Sequence, residues 1–112
     1  MTKWCVPFAL SIILDTDYEF VLPLLKPYLG DEPISGIYLS IAIKILENND
    51  FKCIPCGNGF SISKFKRIKG TYLVETNGHA QVIRDGWLFD NSNPLGTLNF
   101  PKTKCLKVYE IV

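Results

Sequence analysis

A thiol, an imidazole and a carboxylate occur in this sequence in the order that nucleophilic catalysis requires. Cys5 opens a run of apolar residues that predicts a buried helix, and the free N–H groups and positive dipole at a helix N-terminus favour a thiolate. His79 is the one histidine of the chain, and histidine is the usual general base for a thiol near neutral pH. Taken alone, Cys5 also fits a small buried hydrophobe, and His79 a surface histidine at a strand end.

The pairing of two predicted strands brings a carboxylate beside the imidazole. Asp85-Gly86 is the strongest short hairpin signal in the sequence, and a two-residue turn there sets Gln81 opposite Asp90. Because side chains alternate between faces, His79 and Asp90 share a face as diagonal neighbours, with backbones about 7–8 Å apart. A carboxylate there can hold the imidazole in the tautomer that acts as a base. Asp90 also fits a simpler role, as the start of a turn.

The elements that must position these groups are helical in the first half of the chain and extended in the second. Helices are predicted over residues 5–14, 17–28 with a kink at Pro23, and 37–48, with a loop at 31–35. Strands are predicted over 51–55, 60–65, 71–75, 79–84, 87–90 and 106–112, with a loop at 91–97. The predicted fold class is α+β: N-terminal helices, including a buried central helix that starts near Cys5, packed on a C-terminal antiparallel β-sheet.

Length and composition bound the class of protein. The 112 residues fit a single domain, residues 1–112, and 47% hydrophobic with 21% charged residues fits a globule with a core. A net charge of +1 does not favour a strongly charged partner, so we do not expect the protein to bind nucleic acid. The apolar run 5–14 is too short to span a membrane, and acidic residues rather than a cleavage site follow it. We therefore expect a cytoplasmic protein with free thiols and no membrane contact.

The order of the motifs resembles the papain-like cysteine peptidase superfamily, and more narrowly the small papain-fold proteins of bacteria and their phages. The matching segments are Cys5-Val6-Pro7-Phe8-Ala9-Leu10, Tyr18-Glu19-Phe20-Val21, Gly70-Thr71-Tyr72-Leu73-Val74 and Gly78-His79-Ala80, followed by Asp85-Gly86 and Asp90. The resemblance implies a papain-like fold with Cys5 as nucleophile, His79 as base and Asp90 as the group that orients it. Its substrate would be a peptide or protein, which the thiol attacks to form a thioester intermediate. The resemblance implies no cofactor and no metal.

The segment before the nucleophile departs from that family's pattern. Papain-like enzymes usually place a Gln several residues before the cysteine to help bind the oxyanion, whereas Met1-Thr2-Lys3-Trp4 precede Cys5 here. Loss of one oxyanion donor costs about 10²–10³ in rate. The sequence therefore leaves open a peptidase or amidase, an acyl transferase, and an inactive binding or inhibitor protein on the same fold. In a phage, the last would act on a host protein in the host cytoplasm.

Two further motifs compete for a function. The segment Cys53-Ile54-Pro55-Cys56 has zinc-ligand spacing, and Cys105 with either His79 or Cys5 would complete a set of four ligands. The favoured interpretation is that Cys53 and Cys56 are two ordinary thiols on a strand and its turn. A basic stretch around Phe65 is a candidate contact for nucleic acid or an acidic partner. The favoured interpretation is a solvated edge strand whose lysines protect it from aggregation. Its cations are Lys64, Lys66, Arg67 and Lys69.

Overall fold

A computed structural model describes residues 5–29, 39–76 and 78–112, and within these ranges the architecture is α+β, as predicted. The described helices are α1 (Cys5–Leu14), α2 (Tyr18–Leu29) and α3 (Leu39–Asn48). The described strands are β1 (Cys53–Gly57), β2 (Thr71–Thr76), β3 (His79–Arg84), β4 (Trp87–Asp90), β5 (Asn93–Thr97) and β6 (Lys107–Ile111). They form one antiparallel sheet in the order β1-β6-β2-β3-β4-β5.

The first helix is buried because almost no polar residue interrupts it. Its bounds match the prediction, and its buried side chains are Cys5, Val6, Pro7, Phe8, Ala9, Leu10 and Ile13. Pro7 lies in the first turn, where a missing N–H costs no helical hydrogen bond. Ser11 satisfies its hydroxyl by donating to the Phe8 carbonyl at 2.6 Å. The helix ends before Asp15, whose φ of 54° breaks the helical backbone.

The other two helices pack against α1 at one end of the sheet. α2 starts at Tyr18, one residue later than predicted, and accommodates both Pro23 and Pro27. α3 buries the face formed by Leu39, Ala42, Ile45 and Leu46. The amide of Asn48 donates to the Tyr28 hydroxyl at 2.8 Å and so ties α3 to α2. The predicted loop at 31–35 and the predicted start of α3 at residue 37 lie outside the described residues.

The hairpin of β3 and β4 has the predicted register, with Arg84 paired to Trp87 across Asp85-Gly86. Asp85 has a φ of 51° and Gly86 a φ of 84°. Positive φ at both central residues is what a type I′ turn requires, and this turn matches the twist of the strands. The turn therefore fixes which residues of β3 face which residues of β4.

The sheet separates two groups of buried side chains. The first core lies between the helices and one face of the sheet, and its sheet residues are Leu73, Ala80, Val82 and Ile111. The second core lies on the opposite face and consists of Ile62, Phe65, Val74, Ile83, Leu88, Cys105 and Val108. Neighbouring residues of one strand enter different cores because strand side chains alternate in direction.

Two segments differ in type from the sequence-based prediction, and β1 lies two residues later than the strand predicted at 51–55. Residues 60–65 are not a strand: Ser61 forms a single bridge with Lys104, and a 3-10 helix (Ile62–Phe65) follows, in which both terminal side chains turn inward onto the second core. The basic stretch is therefore not an edge strand. Residues 91–97 are not a loop throughout, because β5 pairs with β4 through Asp90 with Asn93 and Leu88 with Thr97.

Candidate active site

Cys5 is the first residue of α1, and only 1% of its surface is exposed. Burial raises the pKa of its thiol above the ordinary 9.0. Hydrogen bonds to the sulfur from the backbone N–H groups of Ala80, Val6 and Cys5 itself act in the opposite direction but do not outweigh burial. The donors expected at a helix N-terminus are thus present, yet the expectation of a preformed thiolate is wrong, because desolvation dominates.

The start of β3 lies against the first turn of α1. The backbone N–H of Ala80 lowers the pKa of the Cys5 thiol, and both residues belong to the first core. His79 is the chain neighbour of Ala80 and the first residue of β3. The ring of His79 itself lies on the other face of β3, together with Gln81 and Ile83, because side chains alternate along a strand and Ile83 belongs to the second core.

Among the described residues, the imidazole of His79 approaches Asp90 through one nitrogen and has no hydrogen bond at the other. Its Nε2 lies 3.6 Å from Oδ2 of Asp90, which is an electrostatic contact rather than a hydrogen bond. Its Nδ1 is buried and has no hydrogen-bond partner among the described residues. The structure thus brings His79 to Asp90, as the hairpin register predicts, but the thiol of Cys5 is not hydrogen-bonded to the ring.

Asp90 is anchored through both of its carboxylate oxygens. Oδ2 accepts a hydrogen bond from the Gln81 amide at 2.8 Å. Oδ1 accepts bonds from the Ser92 N–H at 2.9 Å, the Ser92 hydroxyl at 2.6 Å and the Asn93 N–H at 2.8 Å. Burial alone would raise the pKa of Asp90, but the bonds from Ser92, Gln81 and Asn93 lower it from 3.8 to about 2. The side chain is therefore an oriented, ionised carboxylate near neutral pH.

Three residues that anchor Asp90 were not expected in the site from the sequence. Gln81 is placed opposite Asp90 by the hairpin register, but the register alone does not indicate a side-chain hydrogen bond. Ser92 and Asn93 follow Asp90 in a segment whose composition is typical of an Asx-turn, in which a carboxylate accepts from the backbone two and three residues on. This composition is the sequence feature from which Ser92 and Asn93 could have been predicted to bind Asp90.

Tyr18, the first residue of α2, is separated from the C-terminal end of α1 by residues 15–17. Burial raises the pKa of its hydroxyl, and the charge of a Cys5 thiolate raises it further, which places the phenol within electrostatic reach of the sulfur. Its ring packs on Phe8 with 6.3 Å between centroids. A cleft of about 350 Å³ runs along the outer side of α1 and is lined by Phe8, Ser11, Ile12, Asp15, Thr16, Asp17 and Tyr18.

The alternative zinc set does not come together. Cys53 packs on the first core, whereas Cys56 packs on the second core, because residues three apart on a strand face opposite sides. Across the described ranges, no group of three His, Cys, Asp or Glu side chains is arranged to hold a metal ion. All four cysteines lie within those ranges, and each is a free thiol.

Comparisons with protein-family models, with curated protein sequences and with solved structures found no match. The function is therefore inferred from the chemistry of the site itself. A search of the helices within the described residues found none that is long and apolar enough to cross a membrane.

Proposed function

We propose that this chain is a papain-like cysteine hydrolase, a peptidase, amidase or acyl transferase, with Cys5 as nucleophile, His79 as base and Asp90 as the orienting group. The observation that carries the proposal is the environment of the imidazole. Nε2 faces an anchored carboxylate at 3.6 Å, and buried Nδ1 has no hydrogen-bond partner among the described residues. Nδ1 is thus the imidazole nitrogen available to a thiol, and the backbone of Ala80, the next residue of β3, lowers the pKa of the Cys5 thiol.

The raised pKa of Cys5 sets the order of proton transfer. Because the resting thiol keeps its proton, the sulfur attacks a substrate carbonyl carbon as that proton moves to Nδ1 of His79. The imidazolium, stabilised at Nε2 by the charge of Asp90, then gives the proton to the leaving group as the carbon–leaving-group bond breaks. Water, deprotonated by His79, cleaves the resulting thioester, releasing the acid and restoring the thiol; another nucleophile in place of water gives acyl transfer.

The oxyanion is stabilised by a backbone donor at the start of α1. The N–H of Cys5 lies at the N-terminus of α1, where backbone donors and the helix dipole favour negative charge.

A catalytically inactive binding protein on the same fold is the second candidate. The raised pKa of Cys5 and the lack of a hydrogen bond at Nδ1, judged over the described residues, favour it. In that protein the thiol is a small buried core residue. The free thiols of the chain suit a reducing compartment in either case, and we propose the cytoplasm, or the host cytoplasm for a phage-encoded chain.

A thiol-directed vinyl sulfone probe distinguishes the two candidates. We expect a covalent adduct on Cys5, located by mass spectrometry of peptides, that disappears in Cys5→Ser and forms at least about tenfold more slowly in His79→Ala. Cys53→Ser is the matched control, since this thiol lies away from the imidazole and its loss should leave the Cys5 adduct unchanged. Equal labelling of Cys5 with and without His79 would overturn the hydrolase and favour the binding protein.

A further inference from the structure

The net charge of +1 conceals a strong separation of charge along the chain. Residues 51–74 and 91–109 hold eight of the 12 basic residues and none of the 11 acidic ones. The remaining residues hold the other four basic residues and every acidic one, so the small net charge is the sum of two opposite parts.

The two basic segments are joined in space. Ser61 and Lys104 form an antiparallel bridge, the N–H of Ile62 donates to the Thr103 carbonyl at 2.8 Å, and the N–H of Cys105 donates to the Phe60 carbonyl at 2.7 Å. Together they cover the second core, on the side of the sheet opposite the helices. Their outer surface, which we call the basic layer, exposes Lys64, Lys66, Arg67, Lys69, Lys102 and Lys104.

A groove of about 450 Å³ opens in the basic layer and is lined by Lys66, Leu98, Asn99, Phe100 and Pro101. The ring of Phe100 packs against the second core, which holds it in place. The groove therefore combines a fixed aromatic wall, a side-chain amide and a cation. A nucleotide with an unpaired base offers a flat base face, hydrogen-bonding base edges and a phosphate, which match the aromatic wall, the amide and the cation in turn.

We propose that the basic layer binds single-stranded nucleic acid, with one base against Phe100 in the groove and the phosphates along the exposed cations. A base within a duplex is stacked on both faces, so the aromatic wall favours a single strand. The amide and the aromatic ring beside Lys66 favour a nucleotide over an acidic polypeptide, which the cations alone would not. Neither Cys5 nor His79 lines the groove, and the role of the basic layer does not depend on the proposed hydrolase.

The binding of a fluorescein-labelled oligothymidine of about 20 nucleotides, followed by anisotropy, tests the proposal. Affinity should fall on the order of a hundredfold from about 50 to about 200 mM salt, because each engaged phosphate releases counterions. Lys66→Glu with Lys102→Glu should weaken binding at least about tenfold and flatten the salt dependence. Lys26→Glu with Lys44→Glu, two exposed sites on α2 and α3, changes the net charge equally and should leave the affinity within about threefold.

The groove is tested separately by Phe100→Leu, which keeps apolar packing on the second core but removes the aromatic face. Affinity for the oligothymidine should fall at least about fivefold, within the range measured for loss of one stacked base. The proposal is overturned by no binding at low salt, or by equal losses in the two charge-reversed proteins. It is also overturned by tighter binding of a duplex of the same length or of polyglutamate, since either would assign the layer to a different partner.

Discussion

At the scale of single residues, Asp90 determines whether the site can form. Asp90→Asn places an amide between the Gln81 donor on one side and the Ser92 and Asn93 donors on the other, so in either orientation its NH₂ group faces another donor. We expect a loss of about 1–3 kcal/mol in the free energy of unfolding, measured in urea, together with loss of Cys5 acylation.

The pH dependence of stability provides a second test of the same carboxylate. Because its pKa is lowered to about 2 in the folded protein, Asp90 stabilises the fold above about pH 4, and this stabilisation is lost as the pH falls through about 2. The urea midpoint of the wild type should decrease across this interval by more than that of Asp90→Asn. Parallel decreases in the two proteins would show that Asp90 is not the responsible group.

Gln81 and Ser92 bind different oxygens of this carboxylate. Substituting each in turn therefore distinguishes the oxygen that faces His79 from the oxygen that only holds the side chain in place. Gln81→Met removes the donor to Oδ2, the oxygen near His79, whereas Ser92→Ala removes a hydroxyl from Oδ1 on the far side. Both should raise the pKa of Asp90, as read from its carboxyl ¹³C shift. Activity should fall further in Gln81→Met, and a greater loss in Ser92→Ala would contradict the assignment.

At the scale of elements, the β3–β4 hairpin carries both His79 and Asp90, and Gly86 closes it. A Cβ at Gly86 would lie 3.0 Å from the backbone nitrogen of Arg67, which cannot rotate away, at a φ of +84°. Gly86→Ala should therefore cost about 1–2 kcal/mol in backbone strain and a similar amount in overpacking. Gly59→Ala is the matched control, because its φ is also positive but nothing lies within 4 Å. Equal losses in urea unfolding would contradict the clash.

Elements fixed by local chemistry follow from the sequence, and elements fixed by distant partners do not. The helix at 5–14 follows from its continuous apolar residues, and the pairing of Arg84 with Trp87 follows from a turn that sets its own register. β5 was missed because Asn93-Pro94-Leu95-Gly96-Thr97 has little strand propensity, and its pairing is supplied by β4.

In the site, too, the contacts set by local chemistry could be predicted and those set by distant packing could not. The proximity of His79 to Asp90 could be predicted, because one hairpin register determines it. The contact between Cys5 and Ala80 depends on how α1 packs across the sheet, which no local pattern encodes. The raised pKa of the thiol could not be predicted either, because the depth of burial at a helix N-terminus is a property of the assembled core.

At the scale of the whole molecule, the sheet is shared by two cores, and this predicts how the protein unfolds. Leu73 and Val74 are fully buried neighbours on β2 that enter the first and the second core, respectively. Leu73→Ala should cost about 2–5 kcal/mol and Val74→Ala about half as much. Because β2 belongs to both cores, each change should shift one common transition in circular dichroism and tyrosine fluorescence. Separate transitions for the two probes would show that the cores unfold independently.

The most direct test of the proposed thiol–imidazole pair is the pH profile of acylation of Cys5 by an activated phenyl ester, with the acyl group located on the cysteine by mass spectrometry. If His79 removes the thiol proton, the acylation rate of the wild type should rise well below the pH at which the thiol alone ionises. In His79→Ala the rise should move above the ordinary thiol value of 9.0. Superimposable profiles for the two proteins, both rising with the thiol alone, would contradict the pairing of Cys5 with His79.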